Sequence, residues 1–324
     1  MEELCANDRA RMDRLGVMLG EVAGIHGESG VGAAEATTAL AVNLMGQGEY
    51  EKALELLKEA LGIYQAELSE EEQQQHTGIA LTHGHIGRLY FDQGKDAMAL
   101  EQYEKCLAIQ IKVLGEGHRC VGVTHNNMGS VYGNQGKDSM ALELYGKCLA
   151  IQVKVLGDEH PSVAITYSNI GGIYAKQGKY ELELELYEKC LAIRIKALGE
   201  DHPDVATTYS NIAVVFGRQG KHAMALELYE KCLAIQIRAL GENHPDVADT
   251  KYNMADSLEN QGELEWAGGL FRECAAIYSK VHGAEHEETL DALKRARGYG
   301  EGDWWGEEPD RFGAPSQDDL RNLA

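Results

Sequence analysis

A repeat of 42 residues, the distance from Gly94 to Gly136 and onward, constrains the fold of this chain more than any other feature. A Gly-Lys pair, a cysteine and a histidine each recur at that spacing. Periods of about 20–50 residues are typical of stacked supersecondary units that bury a continuous core between neighbours. The recurring positions are Gly94, Gly136, Gly178 and Gly220; Cys106, Cys148, Cys190, Cys232 and Cys274; and His118, His160, His202, His244 and His286.

The apolar residues inside each repeat follow a helical period. Between positions 141 and 151 they recur every three or four residues, while Glu143 and Lys147 fall on the opposite face. A second helical stretch over 163–176 stops at Gly178, since glycine accepts the left-handed turn after a helix. Each repeat is therefore predicted to be a helix, a Gly-Lys turn, a second helix and a loop.

The composition excludes several classes of function. A net charge of -22 repels phosphate backbones and anionic lipid, so we expect neither nucleic-acid nor membrane-surface binding. We also expect no signal peptide and no membrane span, because the first residues are charged and no apolar run approaches about 20 residues. The seven cysteines are an odd number, which favours a reduced, cytoplasmic protein.

The pattern Met128-Gly129-x2-Tyr132, followed by Ala141-x3-Tyr145, resembles the tetratricopeptide repeat. The 42-residue period, the Leu-Gly-x-x-His-Pro loop and an asparagine before the Leu-like position resemble more narrowly the repeats of kinesin light chain and nephrocystin. The resemblance implies an all-α, right-handed superhelical solenoid of antiparallel helix pairs. It also implies a concave groove, lined by the first helix of each pair, that grips extended peptides. Kinesin light chain carries a long heptad region before its repeats, and residues 1–24 are too short for one, so direct heavy-chain binding is not expected.

We predict six tetratricopeptide repeats and a cap at each end. Residues 1–32 are expected to form a degenerate capping half-repeat and loop, residues 285–297 a capping helix, and residues 298–324 a flexible acidic tail. The predicted repeats span about 33–70, 77–115, 119–157, 161–199, 203–241 and 245–282.

A small residue follows the Leu-like position in every repeat and is expected to let the two helices approach closely. Glu183 departs from the pattern elsewhere, because it stands where Ala141 and Ala225 stand in other repeats. The fourth repeat is either looser at that point, or Glu183 turns outward. The small residues are Ala41, Gly87, Gly129, Gly171, Ala213 and Ala255.

No metal site is expected from the periodic cysteines and histidines. Equivalent residues of adjacent repeats should lie about 10 Å apart, whereas zinc needs each ligand within about 2.3 Å. The cysteines are interpreted as packing residues, and the histidines as loop-packing or helix-capping residues. His282 and His286 lie four apart, but they straddle Gly283 and lack a third ligand in the sequence pattern.

No catalytic or cofactor site is predicted. Gly136-Lys137 lacks the earlier glycine and the following Ser or Thr of a phosphate-binding loop. Neither a Ser-His-Asp set nor a Cys-His set interrupts the repeat pattern in a way that suggests an active site.

The candidate binding residues are polar positions of the first helices. Asparagine amides both donate and accept, so they can pair with the main chain of an extended peptide. Lys176 and Arg218 add positive charge that would favour an acidic or carboxylate-bearing segment. Alternatively, the asparagines only bond neighbouring helices. The candidates are Arg88, Asn126, Asn127, Ser168, Asn169, Lys176, Ser210, Asn211, Arg218 and Asn253.

The sequence predicts a protein-interaction scaffold, in more specific form a cargo or assembly adaptor. The alternative is a regulatory subunit of an enzyme on another chain. Trp304-Trp305, flanked by acidic residues, resembles the tryptophan-acidic peptides that kinesin-light-chain grooves accept. This segment could dock in the chain's own groove or in that of another copy, and the alternative is a plain disordered tail.

Overall fold

A computed structural model describes residues 30–298, which form 14 helices and no strand. The all-α fold class is therefore confirmed. Most of the predicted N-terminal half-repeat, and the tail with Trp304 and Trp305, lie outside the described residues. The helices are α1 Gly30–Gly46, α2 Tyr50–Glu67, α3 Glu70–Gln73, α4 Thr77–Asp92, α5 Asp96–Leu114, α6 Arg119–Asn134, α7 Asp138–Leu156, α8 Pro161–Lys176, α9 Tyr180–Leu198, α10 Pro203–Arg218, α11 His222–Leu240, α12 Pro245–Gln261, α13 Leu264–Val281 and α14 Glu287–Arg297.

Consecutive long helices pack in pairs within two parts of the chain, Met1–Gly157 and Asp158–Ala324, here the N-terminal half and the C-terminal half. The N-terminal half contains the pairs α1–α2, α4–α5 and α6–α7. The C-terminal half contains α8–α9, α10–α11 and α12–α13, and α14 packs on α13. The helix pair expected from each 42-residue repeat is thus present six times in residues 30–298.

The residues that lengthen the first repeat form the short helix α3. Ser69 caps it, because its hydroxyl accepts from the Glu72 backbone while the Glu72 carboxylate accepts from Ser69 N–H at 2.9 Å. The hydrogen bonds from Ser69 also lower the pKa of Glu72.

The Gly-Lys turn joins the two helices of a pair. Gly136 has a φ of +70°, a left-handed conformation that side chains with a Cβ rarely adopt. The following Lys137 places its ammonium 5.6 Å from the ring centre of Tyr132 on the first helix, a contact worth about 0.5–1 kcal/mol at an exposed site. The same contact joins Lys95 to Tyr90, Lys179 to Tyr174 and Lys221 to Phe216.

The small residue of the first helix lies against a tyrosine of the second. A Cβ added at Gly129 would come within 2.9 Å of the Tyr145 ring, and one at Gly87 within 2.8 Å of Tyr103. Such distances are too short for packed carbon atoms, so glycine permits this approach. The predicted role of the small residue is confirmed at these positions.

The periodic histidines cap the first helices. The Nδ1 atom of His160 accepts a hydrogen bond from the Ser162 backbone N–H at 3.1 Å, so one of the unpaired amides at the start of α8 is satisfied. Pro161 occupies the first turn of the same helix, where its missing N–H is no loss. The capping interpretation is confirmed for His118, His160, His202 and His244.

Neighbouring repeats share their cores within each half. One apolar cluster of the N-terminal half runs from Ala41 to Val131 through all three of its helix pairs. The periodic cysteines are buried in these layers, which confirms their packing role. The Cys106 thiol, for example, lies 3.6 Å from the Thr124 hydroxyl of the next repeat.

Candidate peptide-binding face

The ten predicted binding residues all lie on the first helices of their pairs, and each is exposed or half-buried. Three belong to the N-terminal half, with Arg88 on α4 and Asn126 and Asn127 on α6. The other seven belong to the C-terminal half, on α8, α10 and α12. We call the ten residues the groove candidates. Those of the C-terminal half are Ser168, Asn169, Lys176, Ser210, Asn211, Arg218 and Asn253.

The asparagines that precede the Leu-like position differ in their partners. Asn169 already has an interaction partner in the protein, and so does Asn126, which precedes Asn127 in the sequence. The side-chain amides of Asn127, Asn211 and Asn253 are half-buried and make no hydrogen bond to any residue between 30 and 298. These three asparagines therefore do not fit the alternative interpretation, in which the asparagines only form hydrogen bonds to neighbouring helices.

Two of the cationic candidates carry a carboxylate partner. Arg88 Nε donates to both oxygens of Asp92, at 2.8 and 2.9 Å, one helical turn away. Arg218 Nη1 lies 3.5 Å from Glu183 Oε1, on the preceding helix of the C-terminal half. The sequence predicted positive charge at Arg218 but missed the acid beside it, because the two residues are distant in sequence.

Glu183 is buried, with 2% of its surface exposed, so the expectation that it turns outward is wrong. Its Oε2 atom has no hydrogen-bond partner among the described residues. Burial raises the pKa of the Glu183 carboxyl, and the positive charge of Arg218 opposes that rise. Arg218 itself keeps 45% of its side chain exposed, so its remaining N–H groups face outward while Glu183 holds it on one side.

Part of the face of the first helices is covered at the sixth repeat by Arg295 of α14. The Arg295 guanidinium lies 4.3 Å from the ring centre of Phe271 and donates to the Tyr252 hydroxyl at 3.1 Å. It also forms ion pairs with Asp256, at 2.5 Å, and with Glu259. Tyr252 and Asp256 are the sixth-repeat equivalents of Ser210 and Val214 on α10. The capping helix therefore contacts two positions on α12 whose equivalents on α10 remain open.

Two family models of the tetratricopeptide repeat match the chain. One matches residues 78–152, 121–196, 162–238 and 204–265, and the other matches 33–73 and 247–288. The chain belongs to the tetratricopeptide-repeat family. This fold is a scaffold that typically mediates protein–protein interaction. None of the helices between residues 30 and 298 is long and apolar enough to cross a bilayer.

Solved structures support the narrower resemblance. A Podosopora anserina protein, described as a kinesin light chain-type protein with nearly identical TPR-like repeats, is 28% identical with a TM-score of 0.55, over 64% of this chain and 98% of that one. The predicted kinesin light chain-type resemblance is thereby confirmed.

More distant structures share the fold alone. BtubC (BKLC) from P. vanneervenii is 19% identical with a TM-score of 0.60, over 79% of this chain and 94% of that one. PilW, a type IV pilus biogenesis factor, is 18% identical with a TM-score of 0.57, over 80% of this chain and 98% of that one. No curated protein matches the chain at a significant level of sequence similarity.

Proposed function

We propose that this chain is a scaffold that binds an extended segment of a partner protein along the first helices of the repeats in its C-terminal half. The observation that carries the proposal is the pair of half-buried amides at Asn211 and Asn253, both in the C-terminal half, which have no hydrogen-bond partner between residues 30 and 298. Such an amide offers one acceptor and two donors to the main chain of a bound segment. These amide atoms are not among the fully buried ones, so a bound segment can replace the water that they contact.

The bound segment is proposed to carry a carboxylate that reaches Lys176 and Arg218. Charge-assisted hydrogen bonds to a guanidinium are stronger than neutral ones, and Arg218 keeps outward-facing donors. Glu183 offsets part of the Arg218 charge and also holds the side chain on the first-helix face. The segment is therefore expected to be recognised through both its main chain and its acidic group.

The more specific role is that of a cargo or assembly adaptor in the cytoplasm. The kinesin light chain-type description of the Podosopora anserina relative supports the adaptor part of this proposal. The cytoplasmic part is supported by the cysteines between residues 30 and 298, which are thiols rather than disulfides.

Affinity capture followed by mass spectrometry tests the proposal. The wild-type chain is compared with a variant that carries alanine at Asn169, Lys176, Asn211 and Arg218. Partners lost from the variant identify the ligand of the groove candidates. A dominant catalytic chain among them would favour the regulatory-subunit alternative, and retention of every partner by the variant would contradict the proposed binding face.

A direct titration with the shortest captured segment refines the test. Arg218→Ala is expected to weaken binding roughly tenfold or more, because a charged hydrogen bond is worth about 1.5–3 kcal/mol. Arg238→Ala is the matched control, since Arg238 is also 45% exposed and paired with an acid, Asp201, but lies on a second helix. Fluorescence polarisation measures both affinities, and an equal loss in the two variants would contradict the assignment.

A further inference from the structure

The loop after the sixth repeat differs from the four loops before it in residue type and in geometry. His282 stands where the earlier loops have leucine before the glycine. His286 stands where four histidines cap the next helix, yet its side chain makes no capping hydrogen bond to α14. The leucines replaced by His282 are Leu114, Leu156, Leu198 and Leu240.

The two histidines converge on one carboxylate oxygen. His282 Nε2 lies 3.6 Å from Glu288 Oε2, and His286 Nδ1 lies 3.5 Å from the same atom. All three ligand atoms lie within 4.8 Å of one another. The expectation that this histidine pair lacks a third ligand is wrong, because the first turn of α14 brings Glu288 back over the Gly283 turn.

These separations fit metal coordination better than hydrogen bonding. A nitrogen and an oxygen that share a proton lie about 2.7–3.2 Å apart. Ligands of a tetrahedral zinc ion, with bonds of about 2.0–2.2 Å, lie roughly 3.3–3.6 Å from one another. The distances from each imidazole to Glu288, 3.6 and 3.5 Å, match the second range.

The backbone between the ligands is held in place without a metal. Gly283 adopts a φ of +99°, and its carbonyl accepts from the buried Thr289 hydroxyl at 2.9 Å and from His286 N–H at 3.3 Å. The rings of His282 and His286 stack with centres 4.7 Å apart. The backbone therefore holds the three residues close together, and the two imidazole nitrogens, within 4.8 Å of each other, would close further around one ion.

We infer that His282, His286 and Glu288 form a binding site for a divalent first-row transition metal, zinc foremost, that links the end of α13 to α14. Imidazole and carboxylate ligands suit zinc, and three protein ligands leave a fourth position open. All three residues are exposed, so that position faces solvent. The net charge of -22 raises the local concentration of cations. A bound ion would hold α14, the helix whose Arg295 contacts the sixth repeat, against the end of α13.

Isothermal titration calorimetry of the full chain with zinc chloride tests this site. His282→Leu restores the residue of the four earlier loops, and Glu288→Gln keeps the shape of the side chain while removing its charge. Both variants are expected to bind zinc at least about tenfold more weakly than the wild type. His244→Ala is the matched control, because His244 Nδ1 lies 3.5 Å from Asp246 in a two-group pair without a third ligand.

Thermal unfolding supplies a second readout that does not depend on heats of binding. Zinc is expected to raise the Tm of the wild type and of His244→Ala relative to each protein without zinc, and to raise that of His282→Leu by less at the same zinc concentration. Circular dichroism of each variant shows whether it is folded. Wild-type protein that binds no zinc, or a His282→Leu variant that binds it with wild-type affinity, would overturn the inference.

Discussion

The periodic cysteines lie in the layer between repeats, where their thiols are shielded from water. Burial raises the pKa of the Cys106 thiol to about 11 and that of Cys274 to about 12, which leaves both protonated at neutral pH. A thiol must ionise before it can attack an alkylating reagent. Their regular spacing therefore reflects packing rather than redox or metal chemistry.

This burial predicts how the native protein reacts with iodoacetamide at neutral pH. Cys106, Cys232 and Cys274 are expected to be labelled only after unfolding, whereas the half-buried Cys120 is expected to react in the native state. Mass spectrometry of tryptic peptides measures the labelling at each position. Rapid native labelling of Cys232 would show that the layer between repeats opens more readily than the structure indicates.

Glu183 predicts a pH dependence of stability. Its pKa is raised by burial above the ordinary 4.5, so the folded state holds the proton more tightly than the unfolded state. The stabilisation from this group is complete below pH 4.5 and is lost as pH rises through the raised pKa. Glu183→Gln avoids this loss.

The advantage of Glu183→Gln over the wild type in free energy of unfolding is therefore expected to be larger at pH 7 than at pH 4.5. Urea denaturation at the two pH values measures it. A constant difference between the proteins would mean that Glu183 does not titrate abnormally.

At the scale of the helix pair, adjacent glycines on α8 are expected to respond in opposite ways to alanine. A Cβ at Gly172 meets no atom within 4 Å, while one at Gly171 would lie 2.9 Å from the Tyr187 ring. Gly172→Ala should stabilise the chain by about 1 kcal/mol, the difference in helix propensity.

Gly171→Ala gains the same helix propensity, but its added Cβ crowds the Tyr187 ring, which costs about 1–3 kcal/mol. Its free energy of unfolding should therefore fall below that of Gly172→Ala by about that amount. Chemical denaturation compares the two variants, and equal stabilities would mean that Tyr187 moves aside freely.

The sequence predicted most of the helix-pair architecture because several positions agree in every repeat. Local backbone geometry determines the Gly-Lys turns, the small residues and the capping histidines. Because that geometry recurs in every repeat, the residues recur at the same spacing and can be recognised in the sequence. The contacts of Glu183, Arg295 and Glu288 were missed because each departs from the period and depends on a residue of another helix. Single-copy contacts of this kind leave no repeated signal in the sequence.

At the scale of the molecule, family membership rests on matches that run through nearly all of the described residues. The groove candidates were placed on the first helices by the repeat register alone, and in the structure each of them is exposed or half-buried. Which of the unbonded asparagines a partner engages could not be predicted, since near-identical repeats offer near-identical positions.

Site-specific photo-crosslinking with the captured partner tests the proposed binding face most directly. A photoreactive residue is placed at Val214, a half-buried position on α10 between Asn211 and Arg218, or at Met224, an exposed position on α11. Crosslinks to the partner segment are expected from position 214 and not from position 224. Efficient crosslinking from position 224 with none from position 214 would contradict binding along the first helices.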